Sequence, residues 1–261
     1  MKIDFHTHVK LAKKLPFSPK YTDWLFKEAR AAGLDAICIT EHFNTLGFDE
    51  VYQYIAGNYP REEDTFLING LRLFPGMEID IAEGGHILAL GTMEDILALN
   101  HELTPYKEKG CFLAFEKLLI KAHNLNVYLG AGHPFREGSA IPSLPSYLLK
   151  QLHFIDLNGK DYAQKGKQAQ EEIRNFATEL HLPIVTGSDT HQAFQYASIY
   201  MDITQEITTV KGLIEAIQTP ETTIHIHKDI AFKVNAASTL KKTLKEIHAL
   251  GGDYVRILTE E

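Results

Sequence analysis

The chain of 261 residues contains only two cysteines, Cys38 and Cys111, and no CxxC pair. One sits in an apolar strand-like run and the other opens a helix-like run, so no disulfide framework is available and a reducing compartment is expected. No apolar run approaches the ~20 residues that span a bilayer. A cleaved leader would carry away the histidines at the extreme N-terminus, so the expected location is cytoplasmic. Positive charge is also short: 26 Lys and Arg stand against 34 Asp and Glu, for a formal net charge of −8. That balance offers no basic field for tracking a nucleic-acid backbone, which disfavours long duplex substrates but not small ones. The sequence has no GxxxxGK[ST] phosphate loop, no GxSxG elbow and no reactive-cysteine context, so a protein nucleophile is not expected. Linkers, low-complexity tracts and repeats are missing too, and 44% hydrophobic with 23% charged residues is an ordinary globular composition.

What the chain does have is alternation. Short apolar runs exchange with helical patterns from end to end, which argues for βα units around a parallel sheet. Candidate strands are residues 2–6, 35–40, 72–79, 86–91, 126–132, 153–158 and 183–188, with 198–203 a further candidate to close the set. Residues 22–33, 112–125 and 169–181 carry apolar residues at intervals of three and four and read as helices, with Gly33 the stop of the first. Residues 236–252 read as a last amphipathic helix, and "DYVRILTEE" as a short strand or docked tail. One barrel-sized domain is expected over residues 1–261, its C-terminal helix and tail beginning near residue 228. Segments 46–61 and 105–110 are expected to be rim loops that set specificity.

Thirteen histidines are present, and six fall at strand ends. His6 and His8 follow "KIDF", His42 follows "AICIT", His86 opens its strand, His133 follows "VYLGAG" and His191 follows "PIVTGS". Glu78 ends "LFPGME", and Asp189 stands just before His191. In parallel α/β folds the carboxyl ends of the strands form one ligand-binding rim, so these scattered positions converge. Residues i and i+2 of an extended chain face one side; His6 with His8, and Asp189 with His191, therefore make metal jaws. Imidazole with carboxylate suits Zn, Mn or Fe. The set exceeds what one tetrahedral ion uses, and two or three ions sharing a carboxylate fit better, with Glu78 the candidate bridge. The same HxH spacing in "IHIHK" has no turn, glycine or carboxylate behind it, and His225 and His227 read as strand surface. His101, His123, His153, His181 and His248 lie in or beside helical or apolar runs and are expected to be ordinary histidines.

Taken in order, "DFHTH", "ITEH", "GMEID", "GHILALG", "GAGHPFR" and "TGSDTH" resemble the motifs of the PHP (polymerase and histidinol phosphatase) family of metal-dependent phosphoesterases, from residue 2 to about 192. The resemblance implies an α/β fold, a distorted (β/α)7 barrel that is TIM-barrel-like, with two or three divalent ions at the C-terminal ends of the strands. By motif position, it implies His6, His8, Glu78 and Asp189 around a first ion. Glu78, His133 and His86 would surround a second, and His42 and His191 would face a third. Arg136 in "HPFR" matches an arginine used near the family's phosphate site, where a guanidinium fork fits two phosphate oxygens.

Three features depart from the family pattern. Members with three ions place an acid or histidine five or six positions after HxH, where this chain has Lys13 and Lys14; an ammonium has no lone pair to give. These lysines either belong to a solvated basic segment from Lys10 to Lys20 or supply a fixed charge in place of the third ion. Glu41 stands where Asp is commoner and is expected to support His42. In "FIDLNG", Asp156 and Asn158 either shape the pocket or belong to a buried strand ending in an Asn-Gly turn. The implied reaction is hydrolysis of a small phosphomonoester or phosphodiester by a hydroxide bridging two ions. Lys14, Arg136 and Asn158 would bind the substrate, and Asp189 or His191 would pass a proton to the leaving group. The rival readings are amidohydrolase-type attack on carbon and a regulatory module that binds metal without turnover.

Overall fold

The computed structural model describes residues 1–260. Its strands are β1 (Lys2–Thr7), β2 (Ala36–Ile39), β3 (Arg61–Glu62), β4 (Thr65–Ile68), β5 (Leu71–Asp80), β6 (His86–Leu90), β7 (Tyr128–Gly132), β8 (Phe154–Asn158), β9 (Ile184–Gly187), β10 (Ile199–Ile203) and β11 (Thr222–Ile226). Its helices are α1 (Pro19–Ala31), α2 (Phe48–Asn58), α3 (Met93–Glu102), α4 (Phe115–Asn124), α5 (Ser146–Leu149), α6 (Gly159–Lys165), α7 (Lys167–Leu180), α8 (Val210–Ile217), α9 (Ile230–Ala249) and α10 (Tyr254–Thr259). Each expected strand forms, including 198–203 as β10.

The strands make one sheet in the order β11-β10-β1-β2-β5-β6-β7-β8-β9, with β4 beside β5 and β3 beside β4. The sheet curls into a distorted, nearly closed barrel. Its ends meet at the C-terminal end of β1: Asp189 N–H donates to the His6 carbonyl at 2.8 Å, and His8 N–H to the Thr190 carbonyl at 2.9 Å. At the other end of β1, Lys2 and Ile3 pair with β10 instead. Closure itself therefore sets "HTH" edge to edge with "SDTH".

The expectation of a parallel sheet holds for β1-β2-β5 and for β7-β8-β9. It fails between them, because β6 runs antiparallel to both β5 and β7. The cause is chain length. Residues 81–85, with Gly84 at φ 96° and Gly85 at φ 119°, are too few for the roughly dozen residues of a parallel crossover. So β6 starts at the rim where its neighbours end, which is how His86 reaches the rim from the first position of its strand.

Strand side chains alternate between two packing environments. Ala36 and Cys38 of β2 join Phe5, Phe74, Leu88, Phe154 and Val185 from other strands. Ile37 and Ile39 pack instead with Leu25 and Phe26 of α1 and Val51 and Ile55 of α2. Residues 46–61, expected as a rim loop, are largely α2. Its Phe48, Val51, Tyr52 and Ile55 are buried at helical spacing, so the aromatic content is core. The tail forms α10, docked through Tyr254 on Tyr21 with ring centroids 5.6 Å apart. Both cysteines are free, Cys38 buried and Cys111 exposed. Among the described residues no helix is long and apolar enough to cross a membrane.

Candidate metal centre

Glu78, almost fully buried on β5, is the hub of the rim. Its Oε1 lies 2.5 Å from His86 Nδ1, 3.0 Å from His133 Nε2 and 3.5 Å from His6 Nε2. Its Oε2 lies 2.8 Å from His42 Nδ1 and 3.6 Å from His8 Nε2. Across from it, Asp189 Oδ1 is 3.3 Å from His8 Nε2 and 4.0 Å from His6 Nε2. The His191 ring stacks on His8 with centroids 4.0 Å apart. The structure thus brings together all eight residues expected as metal ligands.

Behind these donors lie the carboxylates that aim them. Asp156 Oδ2 holds His6 Nδ1 at 3.1 Å, Glu41 Oε1 faces His8 Nδ1 at 3.6 Å, and Asp80 Oδ1 faces His86 Nε2 at 3.1 Å. A carboxylate at one ring nitrogen fixes the tautomer and turns the other nitrogen's lone pair to the opposite side. Glu41 therefore sits behind His8 rather than behind the His42 ring; it reaches His42 through the backbone N–H at 3.2 Å. Two backbone devices hold the arrangement. His133 and Asp189 adopt φ of 31° and 58°, a region costly for residues other than glycine and commonly occupied at functional sites. Gly187 has no side chain for a reason: a Cβ there would lie 2.2 Å from His6 Cβ.

The donors fit metal ions. His6 Nε2, His8 Nε2, His42 Nδ1 and Glu78 Oε2 are buried without hydrogen-bond geometry to any partner, whereas buried polar atoms are normally paired. Three groups, His6–His8–Asp189, His6–Glu78–His133 and His8–His42–His191, each keep their ligand atoms within 4.8 Å of one another. His86 lies outside these groups. Its two nitrogens face Glu78 and Asp80, and against the effect of burial these carboxylates push its pKa up to about 10. Burial also opposes ionisation of Glu78 and Asp189. His86, His42 and His6 around Glu78, and Arg136 beside Asp189, outweigh it and hold both well below the usual carboxylate range. Burial, then the charge of His8, push His191 well down; burial lowers His133 too. Both are neutral imidazoles with a lone pair to offer.

The cations of the site differ from expectation. Arg136 is bound to protein through all three of its nitrogens: Nε donates to Asp161 at 3.0 Å, one terminal nitrogen to Asp189 Oδ2 at 2.8 Å and the other to Asn158 Oδ1 at 2.8 Å. The fork expected for phosphate orients Asp189 here. Lys14 is exposed and makes no hydrogen bond or ion pair among the described residues, while Lys13 turns back to the rim, its Nζ 3.9 Å from Asp80. Nor is the lysine segment uniformly solvated, since Lys10 is only 2% exposed and donates to Thr45 and the Leu46 carbonyl. Asn158 fills both roles that had been open. It caps α6, accepting from Lys160 N–H at 3.0 Å, and donates to Asp156 at 3.1 Å. The seven other histidines stay outside the three donor groups.

Sequence reasoning missed Asp80, which shares the face of Glu78 two positions on and could have been found by the same i, i+2 rule. It also missed Asp4, whose Oδ1 accepts from Ser188 N–H at 3.0 Å and His6 N–H at 3.1 Å; burial pushes its pKa up to about 7.

Residues 4–130 match the PHP domain and residues 167–222 the PHP-associated domain, together well over half of the chain. The chain belongs to the PHP family. As a PHP chain it is a hydrolase of the metal-dependent phosphoesterase class. No curated protein matches it in sequence. Among solved structures, PsfC from Pseudomonas syringae PB-5123 is similar to this PHP chain at TM-score 0.77 and 21% identity, over 93% of this chain and 98% of that one. The lesion-specific endonuclease PfuEndoQ from Pyrococcus furiosus is similar at TM-score 0.62 and 15% identity, over 86% of this chain and 58% of that one. An endonuclease Q complex with a 27-mer duplex substrate bearing an abasic lesion at the active site gives TM-score 0.60 and 16% identity, over 83% of this chain and 56% of that one. At such identities the likeness is one of fold. This PHP chain spans little more than half of the endonuclease Q chains.

Proposed function

We propose that the chain hydrolyses a small phosphate ester. In this reading His6, His8, Glu78 and Asp189 hold one divalent ion, and Glu78 and His133 hold a second, with His86 joining it on giving up its proton. His42 and His191 hold a third. The observation that carries the reading is the convergence of six histidines and two carboxylates on one buried volume with ligand atoms left unpaired. Three positions rather than two are favoured because Lys13 pairs with Asp80 and Lys14 is exposed, which leaves His42 and His191 to an ion. Zn, Mn or Fe suits these donors. Bound there, such ions supply a water of lowered pKa and neutralise phosphoryl charge.

The chain's own part is aim and proton handling. Asp156 and Glu41 keep Nε2 of His6 and His8 directed inward. Arg136 grips Asp189 Oδ2, so that Oδ1 faces His8. In a two-ion form, with no metal on His191, its ring is free to accept a proton and return it to the leaving oxygen.

The test loads the protein separately with Zn, Mn or Fe and assays p-nitrophenyl phosphate, bis(p-nitrophenyl) phosphate, a panel of amides and lactones, and an abasic-site duplex. Turnover of a phosphate mono- or diester is expected, abolished by chelator and by Glu78→Gln. Turnover of amides or lactones alone assigns attack on carbon. Cutting of the duplex alone, the reading raised by the likeness to endonuclease Q, overrides the argument from net charge. Bound metal with no turnover in any arm leaves the regulatory module.

A further inference from the structure

The proposed reaction brings a phosphoryl group to the rim, yet all three nitrogens of Arg136 are already bound to protein and Lys14 is exposed. A different lysine is in place. The helix α9 lies beyond both family matches, and its buried residues Ile230, Val234, Ala237 and Leu244 recur at intervals of three and four. The one gap in that stripe, between Ala237 and Leu244, falls on Lys241. This face seats α9 against α6 and against the short turn Ala193–Gln195. α6 leaves the rim directly after Asn158, and the turn leaves it directly after His191, so α9 lies over the ends of β8 and β9.

Lys241 thus occupies an apolar position of the packing stripe, half-buried, and makes no hydrogen bond or ion pair among the described residues. The charges that act on it most strongly are Asp189, then Lys160 of α6, then Glu41, and Lys241 in turn acts on His191. Its place in the stripe puts it on the face of α9 that packs towards α6 and the turn after His191, on the side of the site where Asp189 and His191 stand. Lys233, by contrast, is satisfied on the same helix by the Tyr196 carbonyl at 3.0 Å. An unpaired ammonium in an apolar stripe is unfavourable for packing alone, and once Asp189 gives its charge to a metal ion, Lys241 and Lys160 lose their strongest anionic neighbour. An incoming phosphate would supply one.

We propose that Lys241, assisted by Lys160, binds the phosphoryl group of the substrate and holds the inorganic phosphate product before release. The proposal rests on the phosphoesterase reading above. It gives the C-terminal helix, which the family motifs do not reach, a direct part in substrate recognition.

The test uses the full-length, metal-loaded protein, with KM and kcat for p-nitrophenyl phosphate, the inhibition constant of inorganic phosphate, and phosphate binding by calorimetry. Lys241→Met is expected to raise KM and weaken phosphate binding about ten- to a hundredfold, the usual effect of losing a charge-assisted hydrogen bond. It should change kcat far less and raise, not lower, the thermal midpoint. Lys241→Arg should recover most of the affinity. Loss of kcat together with a lowered midpoint would mark a structural role and overturn the proposal. So would an unchanged KM and phosphate affinity in Lys241→Met and in the Lys160→Met/Lys241→Met double variant. If the wild-type protein turns over no phosphate ester, the proposed function falls, and calorimetry still decides the present point. Phosphate binding lost in Lys241→Met supports it; binding retained in that variant, or absent from the wild type, overturns it.

Discussion

Gly187→Ala adds a single methyl group at the tightest approach in the site. The new carbon would lie 2.2 Å from His6 Cβ and 3.0 Å from both His6 N and Asp156 Oδ1. Non-bonded carbons settle at about 3.5–4.0 Å, so β9 and β1 must part by more than about 1 Å at this point. Metal–ligand distances tolerate only about 0.2 Å, and His6 is the residue displaced. Overpacking of this kind costs about 1–3 kcal/mol, which for a chain of this length lowers the thermal midpoint of the metal-free protein by about 2–10 °C. Elemental analysis after dialysis against Zn or Mn, with chelator competition for affinity, should show at least a tenfold loss of metal binding, on the order of what misaimed ligands produce. Wild-type stoichiometry and affinity in this variant would refute the placement of His6 at the metal.

Asp156→Asn keeps the shape but removes the charge behind His6 Nδ1; metal affinity should fall about ten- to a hundredfold, measured by chelator competition, with little change in the midpoint of the metal-free protein. The acid–base behaviour of Lys241 makes a separate prediction. Burial pushes it down from 10.5 to about 8, so the fold disfavours the protonated form. The penalty is full below pH 8, fades as pH rises towards 10.5, and vanishes above that, where the unfolded chain has lost the proton as well. Partial exposure reduces it to about 1–2 kcal/mol. Lys241→Met should therefore gain a few degrees in thermal midpoint at pH 7 and clearly less at pH 9.5, and an equal gain at both pH values would contradict this account.

The sequence carried the donors because their chemistry is local. HxH and DxH present two ligands on one face of an extended chain, and an apolar run before each marks the strand that delivers it. Glu78 and His133 were legible for the same reason. The reversal of β6 was harder to see, although the short Gly84-Gly85 link that forces it is written in the chain; its apolar run reads the same in either direction. α2 was missed because Phe48 and Tyr52 look like loop aromatics until their three- and four-residue spacing with Val51 and Ile55 is counted. The supports were least legible. Asp156 behind His6 and Arg136 on Asp189 depend on contacts between distant segments, and each residue in isolation resembles an ordinary strand or loop residue.

The hydrogen bonds that join the two ends of the sheet are made by the residues that present the donors: His6 and His8 on one side, Asp189 and Thr190 on the other. An ion held between His8 and Asp189 would act as a rivet through that seam, cross-linking segments far apart in the sequence. Metal loading and integrity of the barrel wall then become one equilibrium, with the loaded state favoured by RT ln(1 + [M]/Kd). Stripping the ion would loosen the wall first at His8 and Asp189, so the exchange of their backbone amides with solvent would report metal occupancy without any substrate.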